Sequence, residues 1–181
     1  GLEKSANQGY ANGQYCLGLI YQSGDDVPPN YALAVKWFQK AAEQGNEQAQ
    51  SHLGVLYFYG KGVEQNYALA AEYFQRAANQ GVAEAQYYLG YMYGNGNYDI
   101  AQNYDLAVQW LQKACDQNYA DALSMLGGMY YQGLGVVQNY KQALDYFRKA
   151  AEQNHPDAQN YLGVMYNRGY AVPQNSVTAV E

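Results

Sequence analysis

The fold of this chain is decided by residues 49–60, Ala-Gln-Ser-His-Leu-Gly-Val-Leu-Tyr-Phe-Tyr-Gly, because the same pattern is repeated along the sequence. The Leu-Gly pair of this stretch occurs five times, with the leucines at Leu17, Leu53, Leu89, Leu126 and Leu162. The steps between them are 36, 36, 37 and 36 residues, and each Leu is followed by Tyr after four residues and by Gly after seven. A fixed period of this length is typical of stacked helical repeats rather than of one globular core.

Each copy of the pattern is interpreted as a pair of helices. In the second copy, Ala49, Leu53 and Tyr57 fall on one face of a helix. Gly60 suits the left-handed residue that ends this helix, and Asn66 suits the N-cap of the next helix, because its side-chain oxygen can accept a hydrogen bond from an orphan amide. The sequence therefore predicts helices over 10–23, 30–44, 46–59, 66–80, 82–95, 103–117, 119–132, 139–153 and 155–168, with further helical turns at 2–8 and 175–181.

The residues that flank the second helix also recur. We expect N-caps at Asn30, Asn66, Asn103, Asn139 and Asn175, and left-handed residues after the helix at Gly45, Gly81, Asn118 and Asn154. Glycine and asparagine are the residues that best tolerate the left-handed conformation, so their exchange at this position indicates a helix end and not a chemical role. In the third copy the loop that begins at Gly96 is one residue longer, and we expect the extra residue to bulge the loop.

The glycine that follows each recurring leucine lies inside a helix, where it costs about 1 kcal/mol relative to alanine. Its presence in every copy predicts a close approach of the paired helix. We expect the gap to be covered by an aromatic residue of that helix, Trp37, Tyr73, Trp110 or Tyr146 in successive copies.

The repeats divide the chain into one continuous array over residues 1–181. We expect a partial repeat at 1–9, full repeats at 10–45, 46–81, 82–118 and 119–154, and a partial repeat at 155–181, which together indicate a fragment of a longer protein. Such a truncated array lacks polar caps, so end-to-end self-association is expected. The two cysteines, Cys16 and Cys115, lie two repeats apart and should not form a disulfide; Cys115 stands where other copies have a buried alanine.

Composition limits the classes of partner. The net charge is −6, and Lys and Arg are scattered without a run or stripe, which argues against nucleic-acid binding. No segment reaches the roughly 18 apolar residues that a membrane span needs. The sequence leaves the compartment open between the bacterial cytoplasm, the periplasm and secretion.

The complete pattern resembles the Sel-one-like repeat (SLR) family, whose members are relatives of the tetratricopeptide repeats. The resemblance rests, in the second copy, on Ala49, Leu53, Gly54, Tyr57, Gly60, Gly62, Val63, Ala70, Tyr73, Phe74, Ala77, Ala78 and Gly81. It implies an all-α fold, a right-handed α/α superhelical solenoid of about 36-residue helix-turn-helix repeats, that serves as a protein–protein interaction scaffold. Many bacterial members act in signalling, envelope assembly or host interaction. A cysteine-rich bacterial subgroup carries a disulfide in each repeat, and this chain lacks such pairs.

In tetratricopeptide-type pairs the first helix lines the concave face, and we place a partner there. Counted from the recurring Leu, positions −5, −2, +2 and +5 form a stripe opposite the core, and these positions vary between copies. The predicted partner-binding residues are Tyr15, Ser51, Val55, Phe58, Glu84, Tyr87, Tyr91, Asp121, Tyr131 and Asn160. Their aromatic side chains favour interfaces, and a row formed by Glu84, Asp121 and Asp157 would favour a basic or neutral peptide. The alternative is that these tyrosines pack between adjacent repeats.

The sequence offers little support for catalysis. His52 and His155 have no Cys or carboxylate at ligand spacing, and no Ser sits in a nucleophile elbow. We therefore expect a non-enzymatic scaffold with no catalytic residue, no metal and no cofactor, which binds a protein or peptide in its concave groove. Two alternatives stay open: a periplasmic regulator that docks a cell-wall enzyme, and a module that binds glycan or peptidoglycan through its tyrosines.

Overall fold

A computed structural model describes residues 2–25 and 27–171, with side chains from residue 9 onward. Within these ranges the chain contains helices and no strand. The helices are α1 (Leu2–Ser23), α2 (Tyr31–Glu43), α3 (Glu47–Tyr59), α4 (Tyr67–Asn79), α5 (Ala83–Asn95), α6 (Tyr104–Cys115), α7 (Ala120–Gln132), α8 (Tyr140–Ala151) and α9 (Pro156–Arg168). The all-α class and the helix pairs of each repeat are thus as predicted, whereas the turns predicted at 175–181 lie outside the described residues.

The helix ends follow from the cap residues. The side chains of Asn30, Asn66, Asn103 and Asn139 each accept a hydrogen bond of 3.0 Å from the backbone N–H three residues later. After the second helices, Gly45, Gly81, Asn118 and Asn154 all have positive φ, between 59° and 95°. The sequence predicts helical turns at 2–8 that are separate from the helix over 10–23, and this break at Gly9 is wrong because α1 runs through the residue without interruption.

The described residues fall into two compact units, one formed by those up to residue 86 with 98–100 and the other by 87–97 with 101–171. In unit 1, α1 packs on α2, α2 on α3, and α3 on α4. In unit 2, α6 packs on α7, α7 on α8, and α8 on α9. Each unit therefore has its own core, centred on Phe38, Leu53 and Leu56 in unit 1 and on Leu111, Leu126 and Phe147 in unit 2.

The predicted glycine contact is present, but its partner is one residue further along the second helix. A Cβ atom added at Gly54 would lie 2.5 Å from the ring of Phe74, and one at Gly127 would lie 2.9 Å from the ring of Phe147. Both rings are fully buried. The expectation for Trp37, Tyr73, Trp110 and Tyr146 is wrong because these residues point elsewhere: Tyr73 and Tyr146 stack on Tyr57 and Tyr130 at 5.8 and 5.6 Å, and each Trp lies 4.5 Å below a Lys ammonium.

Hydrogen bonds between side chains join one copy to the next. Gln44 Nε2 donates to Gln14 Oε1 at 2.7 Å, and the equivalent pair Gln80 and Gln50 has the same length. These bonds recur at the repeat period, so they hold neighbouring helix pairs in a fixed register. They lie partly buried, where a hydrogen bond is shielded from competition by water.

Both cysteines are free thiols. Cys16 is exposed and Cys115 is buried in the core of unit 2, as predicted from the alanines at the equivalent positions. Burial raises the pKa of the Cys115 thiol from 9.0 to about 12, with a further contribution from Asp116. This thiol is therefore protonated at neutral pH and is unsuited to act as a nucleophile.

Candidate interaction surface

A groove of about 480 Å³ opens on the first-helix side of unit 2. We call it the tyrosine groove and define it by Tyr87 and Tyr91 of α5, Ser124 and Gly128 of α7, and Asp157 of α9. The other residues that line it are Gly94, Asn95, Gln102, Tyr104, Asp121, Met125, Met129, Gln132, Leu134, His155 and Tyr161. All belong to unit 2, so the groove is formed within one compact unit.

Gly128 opens the middle of the groove. It stands at position +2 of its copy, where the other copies have Leu19, Val55, Tyr91 and Val164. A Cβ atom added at Gly128 would meet no atom within 4 Å, and its φ is not positive, so neither packing nor backbone conformation requires glycine here. Glycine inside a helix lowers stability by about 1 kcal/mol relative to alanine. The structural consequence of Gly128 is that the groove between α5 and α7 stays open at this position.

His155 links two of the helices that border the groove. The backbone N–H of Ala158 donates to His155 Nδ1 at 3.4 Å, so the proton of the neutral ring is on Nε2, which lies 2.8 Å from Asp121 Oδ1. Asn46 makes the equivalent pair of bonds in unit 1, capping α3 and donating to Asn12 at 2.9 Å. The His155–Asp121 contact is therefore a structural link that the sequence analysis did not predict. Its signal in the sequence is the spacing of 34 residues that separates Asn12 from Asn46 and Asp121 from His155.

The lining of the tyrosine groove is acidic. Asp121 and Asp157 are carboxylates, and the lining contains no Lys or Arg. Ser124 is 7% exposed, and its hydroxyl has no hydrogen-bond partner among the described residues. The groove thus presents carboxylate and hydroxyl oxygens next to tyrosine rings.

The structure brings three of the ten predicted site residues into this groove: Tyr87, Tyr91 and Asp121. Tyr131 packs instead with Tyr140, Tyr161 and Tyr170, at ring distances of 5.3, 5.7 and 6.1 Å. For Tyr131 these contacts correspond to the alternative in which the tyrosines pack between adjacent repeats.

Two further predictions for surface residues fail in unit 1. Ser51 is 1% exposed and Phe58 is 6% exposed, so neither can contact a partner. Phe58 lies in a cluster of rings with Tyr59, Tyr67 and Tyr98, at distances of 5.0 to 5.3 Å. The helical period places Ser51 and Phe58 on one face of α3, but it does not show that neighbouring side chains cover them.

The remaining predicted residues lie apart from the tyrosine groove. Tyr15 is half-buried against Phe38 and His52, and burial raises the pKa of its phenol. Val55 and Glu84 are half-buried in unit 1, and Asn160 is exposed on α9. At the place in unit 1 equivalent to the tyrosine groove, a depression of about 500 Å³ is lined by Leu19, Ile20, Gln22, Ser23, Asp25, Tyr31 and His52, a set with one carboxylate.

Among the described residues, no helix combines the length and the apolar character that crossing a membrane would require. A search of curated proteins gives no match. The family model of the Sel1 repeat matches residues 11–46, 47–82, 83–119, 120–155 and 156–181.

Three solved structures illustrate the similarity. A protective antigen of uropathogenic Escherichia coli, c5321, which displays an SLR fold, is 38% identical with a TM-score of 0.86 over 96% of this chain and 37% of its own. A Sel1 repeat protein from Oxalobacter formigenes is 32% identical with a TM-score of 0.88, over 96% of this chain and 68% of its own. Cysteine rich protein B of Helicobacter pylori is 27% identical with a TM-score of 0.57, over 77% of this chain and 99% of its own. This chain thus spans little more than a third of the length of the Escherichia coli antigen.

Proposed function

The chain belongs to the Sel1 repeat family, and we propose that it is a protein–protein interaction module whose tyrosine groove binds an extended segment of a partner protein. Sel1 repeats are generally protein interaction modules and typically non-enzymatic scaffolds. The observation that carries the proposal is the open space at Gly128 beside Tyr87 and Tyr91. Gly13 and Gly163 are helical glycines with equally open surroundings, but Gly128 lies in the lining of the tyrosine groove, and an occupant of the groove would account for it.

The lining suits a peptide. Tyrosine supplies a large, rigid contact area at a low cost in side-chain entropy, which favours it in interface centres. The side-chain nitrogens of Asn95 and Gln102 donate to the backbone oxygens of Tyr91 and Gly94. Their amide oxygens, and the amide of Gln132, can still bond to an extended backbone in the groove. The volume of about 480 Å³ falls in the range of pockets that enclose small ligands or a few side chains.

The test compares two variants at the same position of two copies. Gly128→Leu fills the tyrosine groove, whereas Val55→Leu alters position +2 in unit 1 and serves as the matched control. Each variant and the parent chain are used to capture proteins from a lysate of the source organism, and the dissociation constant of each captured protein is then measured after purification. We expect Gly128→Leu to weaken binding about tenfold or more, which corresponds to about 1.4 kcal/mol, and Val55→Leu to leave it unchanged.

A partner that binds Gly128→Leu as tightly as the parent chain would contradict the proposal and favour docking of a folded enzyme elsewhere on the chain. Binding of muropeptides that is lost in Gly128→Leu, in the absence of any protein partner, would assign the groove to a glycan instead.

A further inference from the structure

We propose that the tyrosine groove recognises an arginine side chain of the partner segment, an inference that rests on the proposed function and specifies the chemistry of its ligand. Three independent features of the groove converge on a planar cation: its charge, an unpaired hydroxyl, and tyrosine rings beside an open space.

The charge comes from two carboxylates whose oxygens are hydrogen-bonded only in part by the described residues. His155 occupies Oδ1 of Asp121, which leaves Oδ2 without a hydrogen bond, and Asp157 has no hydrogen-bond or ion-pair partner among the described residues. Each carboxylate lies in the first turn of its helix, where the helix dipole tolerates a negative charge. No Lys or Arg lines the groove, and the imidazole of His155 contacts only Oδ1 of Asp121, so a cationic ligand competes with that one contact and with no Lys or Arg of the lining.

The hydroxyl of Ser124 is the second feature. The residue is 7% exposed and lines the groove, and its hydroxyl makes no hydrogen bond to the described residues. Its oxygen can therefore accept a hydrogen bond from a donor on a ligand in the groove. Ser51, the equivalent residue of unit 1, also lacks a partner, but it is only 1% exposed.

The tyrosine rings decide between the two basic side chains. Tyr87 and Tyr91 have their ring centres 6.1 Å apart, and Gly128 leaves the space beside Tyr91 open. A guanidinium is planar and weakly hydrated, so it can stack on a tyrosine face while its five N–H groups reach several acceptors at once. The ammonium of lysine is a strongly hydrated point charge and uses such a set of acceptors less well.

The test begins with a display library of random nine-residue peptides, selected on the parent chain. We expect the recovered peptides to share an arginine. In synthetic copies of these peptides, citrulline in place of that arginine removes the charge at nearly constant shape. It should weaken binding about tenfold, since charge-assisted hydrogen bonds are roughly twice as strong as neutral ones. Lysine keeps the charge but lacks the planar guanidinium, so it should weaken binding about threefold.

Two substitutions of the protein separate the groove from general electrostatics. Asp157→Asn removes one carboxylate of the groove, and Asp145→Asn removes an exposed carboxylate of α8 in the same unit but outside the groove. Both change the net charge by the same amount. We expect Asp157→Asn to weaken the arginine peptides about fivefold and Asp145→Asn to change their affinity less than twofold, as the Coulomb interaction of exposed charges is screened by salt over about 10 Å.

The outcomes distinguish this inference from the proposed function. Peptides that lose binding in Gly128→Leu but share no arginine, or that tolerate citrulline, would overturn the arginine assignment and leave groove binding standing. Peptides that bind the parent chain and Gly128→Leu equally would overturn both.

Discussion

Gly127 and Gly128 are neighbours in α7, yet the structure predicts opposite effects when each is replaced by alanine. At Gly128 the new methyl group meets no atom within 4 Å. Alanine is favoured over glycine inside a helix by about 1 kcal/mol, so Gly128→Ala should stabilise the chain by about that amount. For a protein of this size this corresponds to a rise in melting temperature of about 2–4 °C.

Gly127→Ala has the same gain in helix propensity but adds a clash. The methyl group would lie 2.9 Å from two ring atoms of Phe147, and this ring is fully buried, so the ring or the helix must shift. Overpacking of this kind costs about 1–3 kcal/mol. Because the propensity gain is common to both variants, the difference in their unfolding free energies isolates the clash and should also be about 1–3 kcal/mol.

The assay is urea and thermal unfolding of the parent chain and both variants, followed by circular dichroism at constant protein concentration. Matching spectra before unfolding show that the variants keep the helical content of the parent chain. The reasoning would be refuted if Gly128→Ala lowered the melting temperature, or if Gly127→Ala raised it as much as Gly128→Ala does.

Two further predictions concern single side chains. Cys16 should react with a thiol reagent at pH 8 while Cys115 stays unmodified until the chain is unfolded, and a native chain with two reactive thiols at pH 8 would be inconsistent with the burial of Cys115. Because the pKa of Cys115 in the folded chain is raised from 9.0 to about 12, the stabilisation that comes from its protonated thiol is complete below pH 9. This stabilisation is lost as the pH rises from 9 towards 12. His155→Asn should preserve stability because Asn46 makes the same two hydrogen bonds in unit 1. His155→Ala should lower the free energy of unfolding by about 1 kcal/mol, because it removes the N-cap of α9. Equal urea midpoints for the two variants would contradict this role of His155.

The helices and their caps could be predicted from the sequence because each depends on local chemistry that recurs in every copy. Asn66 caps α4 by accepting a hydrogen bond from the backbone N–H of Leu69, three residues later. Gly81 has a positive φ, and a Cβ atom there would meet no other atom within 4 Å. Gly9 was misread as a helix end because glycine permits the left-handed conformation without requiring it.

The packing partners were harder to predict because they depend on the direction of side chains. Trp37 and Phe38 are both aromatic and adjacent, so the sequence indicates a ring above Gly18 but not which one; the structure places Phe38 there. Ser51 and Phe58 illustrate the same limit, since a helical stripe shows which residues share a face but not how deeply neighbouring copies cover it.

The position that defines the candidate site was missed for a different reason. A helical stripe predicts partner-binding residues from their side chains, whereas Gly128 contributes the absence of a side chain. Its signal was nonetheless present in the sequence: the fourth copy has Gly after Gly127, where the other copies have Leu, Val or Tyr. Comparison of the copies with one another, rather than with an average pattern, would have revealed it.

The contrast between the two glycines of α7 also bears on how repeat arrays diversify. A side chain at Gly127 would meet the Phe147 ring and cost packing energy, whereas a Cβ atom at Gly128 would meet no atom within 4 Å. A lineage can therefore try many side chains at position 128, and each trial resizes the groove while the scaffold stays intact. A duplicated repeat carries copies of both positions, the one equivalent to Gly127 and the one equivalent to Gly128. A single substitution at the second position can then change the size of the groove.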